Sequence, residues 1–263
     1  MGRTIVVTSG KGGVGKTTAC ANIGCAFAQQ GKEVLLIDTD LGLRNLDTVL
    51  GLENRIVFDI VDVIENKCRI RQAILKDKRC EHLSFMPASQ TRDKNAIREE
   101  QMRHLLDELR PQYDFILLDS PAGIEQGFRN AVAGAEEALV VCTPEVSSVR
   151  DADRVIGLMA ASDIAHVSLV VNRIKPELVR SGDMLSLEDV EDILGQKAIG
   201  AVPDDASIVR ATNLGEAAVF MPSSRAGREY INIAMRLLGE NIPLASPGGL
   251  QALMNRLFPR RVG

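Results

Sequence analysis

Tryptophan is absent from the 263 residues and aromatics make up only 3%. The chain therefore has little material for the stacking platforms on which single-stranded nucleic acid or sugars are read. Histidine is scarce: His82, His104 and His166 stand alone, with no second histidine a helical turn away, so packing or surface roles suit them better than metal ligation. The five cysteines, Cys20, Cys25, Cys68, Cys80 and Cys142, are odd in number and contain no C-x-x-C pair, which argues for reduced cytosolic thiols rather than a disulfide framework or a redox dithiol. No apolar run approaches the roughly 20 residues that cross a bilayer, because the best candidate, Ala131 to Val141, is broken by Glu136 and Glu137. The N-terminus lacks a signal-peptide core, and Val6 stands where a myristoylation pattern wants Ser or Thr. A net charge of -4 argues against a uniformly basic nucleic-acid binder, and no nucleic-acid partner is expected. These absences point to a cytoplasmic globular protein.

What is present is 45% hydrophobic and 25% charged residues, enough to bury a sizeable core. Short Val-, Ile- and Leu-rich runs recur at Ile5–Val7, Val34–Ile37, Leu83–Met86, Phe115–Leu118, Ala138–Cys142, Val167–Val171 and Ala198–Val202. They read as buried parallel strands. Helical spacing lies between them, at Thr17–Gln30, Arg98–Leu109, Ser147–Ala161, Leu187–Leu194 and around Gly227 to Leu238. This alternation predicts an α/β fold, a doubly wound, mostly parallel sheet with helices on both faces. Without an internal Pro/Ser-rich linker, one domain over residues 1–240 is expected. Prolines and glycines in 241–249 suggest a flexible tether, and 250–263 an amphipathic membrane-targeting tail whose short helix Pro259 would end.

Gly10-Lys11-Gly12-Gly13-Val14-Gly15-Lys16-Thr17 satisfies G-x-x-x-x-G-K-[ST] between a predicted strand and a predicted helix. Glycines let successive backbone N–H groups face one point, and the helix adds its positive dipole end there, so phosphate oxygens are the natural guests. Lys16 would neutralise the β- and γ-phosphates of ATP, and the Thr17 hydroxyl would give one oxygen to Mg²⁺. Asp38 and Asp40 follow one predicted strand and Asp119 another, at the carboxyl edge where open α/β sheets put their ligands. Asp119 fits an acid that positions the metal, Asp38 one that orients the attacking water, and Asp40 a supporting role behind them. Lys11 is awkward to place on phosphates already served by Lys16. It is either a solvated charge or a side chain that reaches another subunit's nucleotide, and the pattern favours the second.

Lys11-Gly12-Gly13-Val14-Gly15-Lys16-Thr17-Thr18 resembles the deviant Walker A box of the ParA/MinD ATPases. In that family the early lysine crosses an ATP-sandwiched dimer interface, so the resemblance implies a homodimer formed on ATP. The stretches Asp38 to Asp47, Asp119 to Phe128 and Thr143 to Asp153 resemble the septum-positioning members of the family, and the match covers nearly the whole chain. Carried across, Asp38 to Asn45 corresponds to switch I and Asp119 to Glu125 to switch II, the segments that rearrange with the γ-phosphate. Asn172-Arg173 and Pro203-Asp204 resemble adenine-side contacts, although a strand-end Asn is as often a turn residue. Asn172 is not followed by the N-K-x-D pattern of guanine-specific GTPases, in keeping with ATP. The implied activity is Mg-dependent ATP hydrolysis that recruits the division inhibitor MinC to the membrane and is stimulated by MinE.

Leu250, Leu253, Met254, Leu257 and Phe258 fall at i, i+3, i+4, i+7 and i+8, an apolar stripe flanked by Arg256, Arg260 and Arg261 without an acid. That pattern suits an anionic inner-membrane surface. Burying five apolar side chains gives ~5–10 kcal/mol, and ordering about ten residues costs a similar amount. A single copy should therefore bind marginally and a pair firmly, because the second helix acts at high effective concentration. The resulting expectation is reversible, peripheral attachment to the inner face of the membrane. Two alternatives remain. A ParA-type DNA-segregation ATPase would need a basic face in place of the tail, and an iron–sulfur carrier would need cluster-bridging cysteines.

Overall fold

Successive side chains of a strand point to opposite faces, and in the first strand Ile5, Val6 and Val7 are all buried. Both faces of the sheet must therefore be covered. In the computed structural model, which describes residues 2–93, 95–162 and 164–244, the strands are β1 (Arg3–Thr8), β2 (Val34–Asp38), β3 (Leu75–Lys76), β4 (Leu83–Met86), β5 (Phe115–Asp119), β6 (Glu137–Cys142), β7 (His166–Ile174) and β8 (Ala198–Pro203). The helices are α1 (Lys16–Gln29), α2 (Leu46–Leu50), α3 (Ile60–Ile64), α4 (Ile70–Ala73), α5 (Glu99–Leu109), α6 (Gln126–Val132), α7 (Val146–Ala160), α8 (Pro176–Ser181), α9 (Leu187–Leu194), α10 (Ala206–Asn213) and α11 (Arg225–Leu237).

The strands form one sheet in the order β3-β4-β2-β5-β1-β6-β7-β8, in which only the β3–β4 pair is antiparallel. Val6, Leu35, Ile37, Ile116 and Leu118 face a core shared with α3, α5, α6, α7 and α9. Ile5, Val7, Val34, Leu36 and Leu117 face a second core built with α1, α2 and α11. The period-two alternation of one sequence thus feeds two layers. In the second, the Phe27 and Phe115 rings stack with centroids 4.1 Å apart. Four of the five cysteines are buried and Cys68 is half-buried.

All seven expected strands are present, and the short β3 joins them at one edge. β7 differs from expectation. It does not close at Val171 but runs on to Ile174, with register shifts against β8 around Val171 to Ile174, so Asn172 and Arg173 lie within an irregular strand. At the other end of the chain, the Arg236 guanidinium donates to the carbonyls of Ile242 (2.8 Å) and Pro243 (2.9 Å), and Leu244 packs against the first core. Residues 242–244, at the start of the expected tether, thus lie against the body. The expected stripe Leu250, Leu253, Met254, Leu257 and Phe258, with Arg256, Arg260 and Arg261, lies outside the described residues. Among the described residues no helix is long and apolar enough to cross a membrane.

Candidate functional site

β1 is the sheet's central strand, flanked by β5 and β6, and the loop that leaves its carboxyl end runs directly into α1. Gly13 (φ 78°) and Gly15 (φ 94°) occupy the left-handed region that side chains avoid. Gly15 is the N-cap of α1, and no side chain caps the helix. The first turn of a 14-residue helix is thereby left for an outside acceptor, and a phosphate meets that need. Ser9 Oγ donates to the Lys11 carbonyl at 3.0 Å, which tightens the loop's entry.

The two lysines of the loop have different surroundings. Lys16 is buried, with Nζ 3.0 Å from Asp119 Oδ1. Burial works against its charge, but Asp119, and beyond it Asp40 and Asp38, hold its pKa above the ordinary lysine value. Lys11 is exposed, and its Nζ rests 3.4 Å from Glu145 Oε2 and 3.2 Å from Ser147 Oγ on the same chain. At that distance and exposure the contact is weak.

Asp38 and Asp119 end adjacent strands and are partners in register. Asp38 Oδ1 accepts from the Asp40 N–H at 2.9 Å, and Oδ2 from the N–H groups of Asn45 (3.1 Å) and Leu46 (3.2 Å) at the start of α2. Burial raises its pKa to about 7, and the Asp119 charge adds to the rise, while those backbone donors oppose it. The turn between closes through the Asp40 carbonyl, which accepts from Leu43 and Arg44. Arg44 sits at φ 42° and pairs with Asp47 at 2.7 Å. Across the site, the Gly123 N–H donates to the Ser9 carbonyl at 3.1 Å, so the segment after Asp119 is fastened to the loop's entry.

Thr17, Asp38 and Asp119 offer hydroxyl and carboxylate oxygens, a donor set that fits Mg²⁺. Among the described residues no group of three or more His, Cys, Asp or Glu side chains forms a metal cage. Mg²⁺ seldom needs one, because it keeps waters and phosphate oxygens and takes one or two protein ligands.

The remaining predicted positions divide in two. Asn172 is buried beneath the loop, where its Nδ2 donates to the Val14 carbonyl at 2.8 Å. Arg173 and Asp204 are exposed near it, with Pro203 half-buried, and Asp204 forms a 3.4 Å ion pair with Lys175. Sequence reasoning missed three supporting contacts. Thr39 Oγ1 donates to the Asp119 carbonyl at 2.8 Å; Asn22 ties α1 to the Val219 N–H at 3.0 Å; and a methyl group on Gly10 would strike Asp151 of α7. Gly10 and Thr39 lie in stretches already singled out, but no local motif marks these contacts, because each partner is brought near by tertiary folding alone.

A glycine loop from the central strand into a helix, with a buried lysine on strand-end carboxylates, defines a P-loop ATPase. A family model described as an AAA domain matches residues 2–161. The septum site-determining protein MinD of Synechocystis sp. is 53% identical over 265 residues that cover 100% of both chains. A solved MinC:MinD cell division protein complex of Aquifex aeolicus contains a chain 51% identical, superposing with a TM-score of 0.87 over 92% of this chain and 98% of that one. MinD of Pyrococcus horikoshii, solved with Mg-ADP, is 29% identical, with a TM-score of 0.82 over 92% and 100% of the two chains. The chain belongs to the family of septum site-determining MinD proteins. It is a cell-division ATPase of that kind rather than a DNA-segregation ATPase.

Proposed function

We propose that the chain hydrolyses ATP to ADP and phosphate with Mg²⁺, pairs with a second copy while ATP is bound, and attaches reversibly to the anionic inner face of the cell membrane. There it carries MinC, and it is released when MinE stimulates hydrolysis. The observation that carries this reading is the contrast between the loop's two lysines. Lys16 is held on Asp119 inside the site, whereas Lys11 stands at the rim with only surface contacts to Glu145 (3.4 Å) and Ser147 (3.2 Å) and can swing to a second protomer's phosphates. The relative solved with MinC supports that partner, and the one solved with Mg-ADP supports the nucleotide and the metal.

In this reading Gly10, Lys11, Gly12, Gly13, Val14, Gly15, Lys16, Thr17 and Thr18 line the nucleotide's phosphates. Thr17, Asp38 and Asp119 hold Mg²⁺, which supplies charge neutralisation for the β- and γ-phosphates. Lys16 leaves Asp119 for those phosphates, while Asp38 orients the attacking water, with Asp40 maintaining the field around Lys16. Asn172, Arg173, Pro203 and Asp204 form the adenine side. Leu250, Leu253, Met254, Leu257 and Phe258 enter the lipid surface, and Arg256, Arg260 and Arg261 meet its anionic headgroups.

Vesicle co-sedimentation with ATP, ADP and no nucleotide tests the proposal, using the intact chain, Lys11→Ala and a variant ending at residue 249. Only the intact chain with ATP should pellet with the vesicles. Adhesion indifferent to nucleotide, or undiminished without the tail, would overturn it.

A further inference from the structure

The irregular end of β7 brings one amide under the phosphate loop. Arg173 adopts φ 58°, a left-handed conformation rare for a residue with a side chain, at the point where β7 and β8 lose register. Such strain persists only where surrounding contacts over-determine it. Here the Arg173 N–H donates to Asn172 Oδ1 at 2.9 Å, and the Tyr230 hydroxyl, fully buried on α11, approaches the same oxygen at 3.5 Å. Two donors on the oxygen fix which end of the amide is nitrogen, and Nδ2 then meets the Val14 carbonyl at 2.8 Å.

That contact has a geometric consequence. In a trans peptide the carbonyl oxygen and the following N–H point in opposite directions. Holding the Val14 oxygen against β7 therefore aims the Gly15 N–H away from β7. Asn172 is packed so closely that a methyl group on Gly15 would collide with Nδ2, a second reason besides φ 94° why only glycine fits there.

The geometry points to Asn172 as a positioning residue of the phosphate loop: its amide sets the orientation of the Val14–Gly15 peptide that the phosphates meet. Tyr230 and the Arg173 backbone hold that amide in place. This rests on the nucleotide site proposed above and replaces the adenine-side role given there to Asn172, leaving Arg173, Pro203 and Asp204 on that side, because a brace acts on phosphate binding whatever base is attached.

A base-free ligand separates the two roles. Dissociation constants of the full chain are measured with Mg²⁺ for ATP, GTP and inorganic tripolyphosphate, for the parent, Asn172→Ala and Tyr230→Phe, with thermal unfolding alongside. Loss of one buried hydrogen bond predicts that Asn172→Ala weakens ATP and tripolyphosphate by the same factor, on the order of tenfold, with the ATP-to-GTP ratio unchanged. Tyr230→Phe, which keeps the ring and loses only the hydroxyl, should shift both in the same direction by about twofold. ATP affinity falling while tripolyphosphate affinity holds would assign Asn172 to the base and overturn the brace. A lowered melting temperature with unaltered affinities would make the contact merely structural and overturn it too. If Asn172→Ala fails to fold, an unchanged tripolyphosphate affinity in Tyr230→Phe is the overturning result. Failure of the parent to bind ATP at all would instead sink the nucleotide site itself.

Discussion

A carboxyl group that ends a buried strand beside another carboxyl group is poorly placed to stay ionised, and Asp38 is such a group. Its pKa is raised from 3.8 to about 7, so between those values the folded chain holds a proton that the unfolded chain has released. Stability conferred by that proton is present at the acid end of the window and declines as pH rises toward 7. For nucleotide-free protein, urea unfolding at pH 5 and pH 8 should show the parent losing ground against Asp38→Asn at the higher pH. An equal difference at both values would contradict the assignment. Lys16 provides the opposing charge, and its 3.0 Å contact with Asp119 places the site's positive charge deeper than its rim. Of these residues, the loop lysines and the strand-end acids were legible in the sequence, because their types and spacing follow from the chemistry of phosphate. The brace on Val14 was not, since nothing local distinguishes an asparagine that supports a loop from one that reads a base or closes a turn.

Among the elements, α10 and α11 share a cap. Asp205 accepts from the N–H of Ser207 (2.9 Å) at the start of α10, and from those of Arg225 (2.8 Å) and Ala226 (3.1 Å) at the start of α11. Burial alone would raise its pKa, but the Ser207, Ala226 and Arg225 donors bring it down to about 2. Asp205→Ala should cost about 1–2 kcal/mol at neutral pH in a denaturation experiment, as a lost N-cap does. The deficit should shrink as pH falls from 3.8 toward 2, where the parent protonates and loses the same stabilisation. A deficit constant down to pH 2 would rule out the cap as its source.

The far end of α10 meets the end of α2 at two glycines, where a methyl group on Gly215 would lie 2.7 Å from the Gly51 Cα. Arg79 clamps the junction by donating to the carbonyls of Leu50 and Gly215. Gly215→Ala should cost more than Gly31→Ala, although the two φ values are 63° and 72°, because nothing lies within 4 Å of a methyl group at residue 31. The expected losses are about 2–3 and about 1 kcal/mol respectively, read as urea midpoints. Equal losses would show that backbone strain, not the close approach, governs the site. The short helices α2, α3 and α4 escaped the sequence because a helical stripe needs more than five residues to declare itself, and β3 is only two residues long. The strands other than β3, and α1, α5, α7, α9 and α11, showed themselves because a sheet covered on both faces demands unbroken apolar runs and its covering helices demand stripes.

For the whole molecule, the strand order places the loop after β1 next to β5, so chemistry scattered from residue 10 to residue 119 gathers at one edge. That gathering is a property of topology, and βαβ alternation foretold it. Layering also decides which sulfur a reagent can find. Burial pushes the thiols of Cys20 and Cys25 well above their ordinary pKa and that of Cys142 up to about 12, and Cys80 is likewise buried. Cys68 alone is partly open to solvent, and it sits beside α4, in the first turn outside α3, away from the phosphate loop. Native protein treated with a maleimide dye should therefore take up close to one dye per chain, rising toward five in urea. More than one under native conditions would mean that the layers open. The fold thus furnishes its own attachment point for a fluorophore, and the proposed traffic of the parent chain between solution and surface can be tested without altering a single codon.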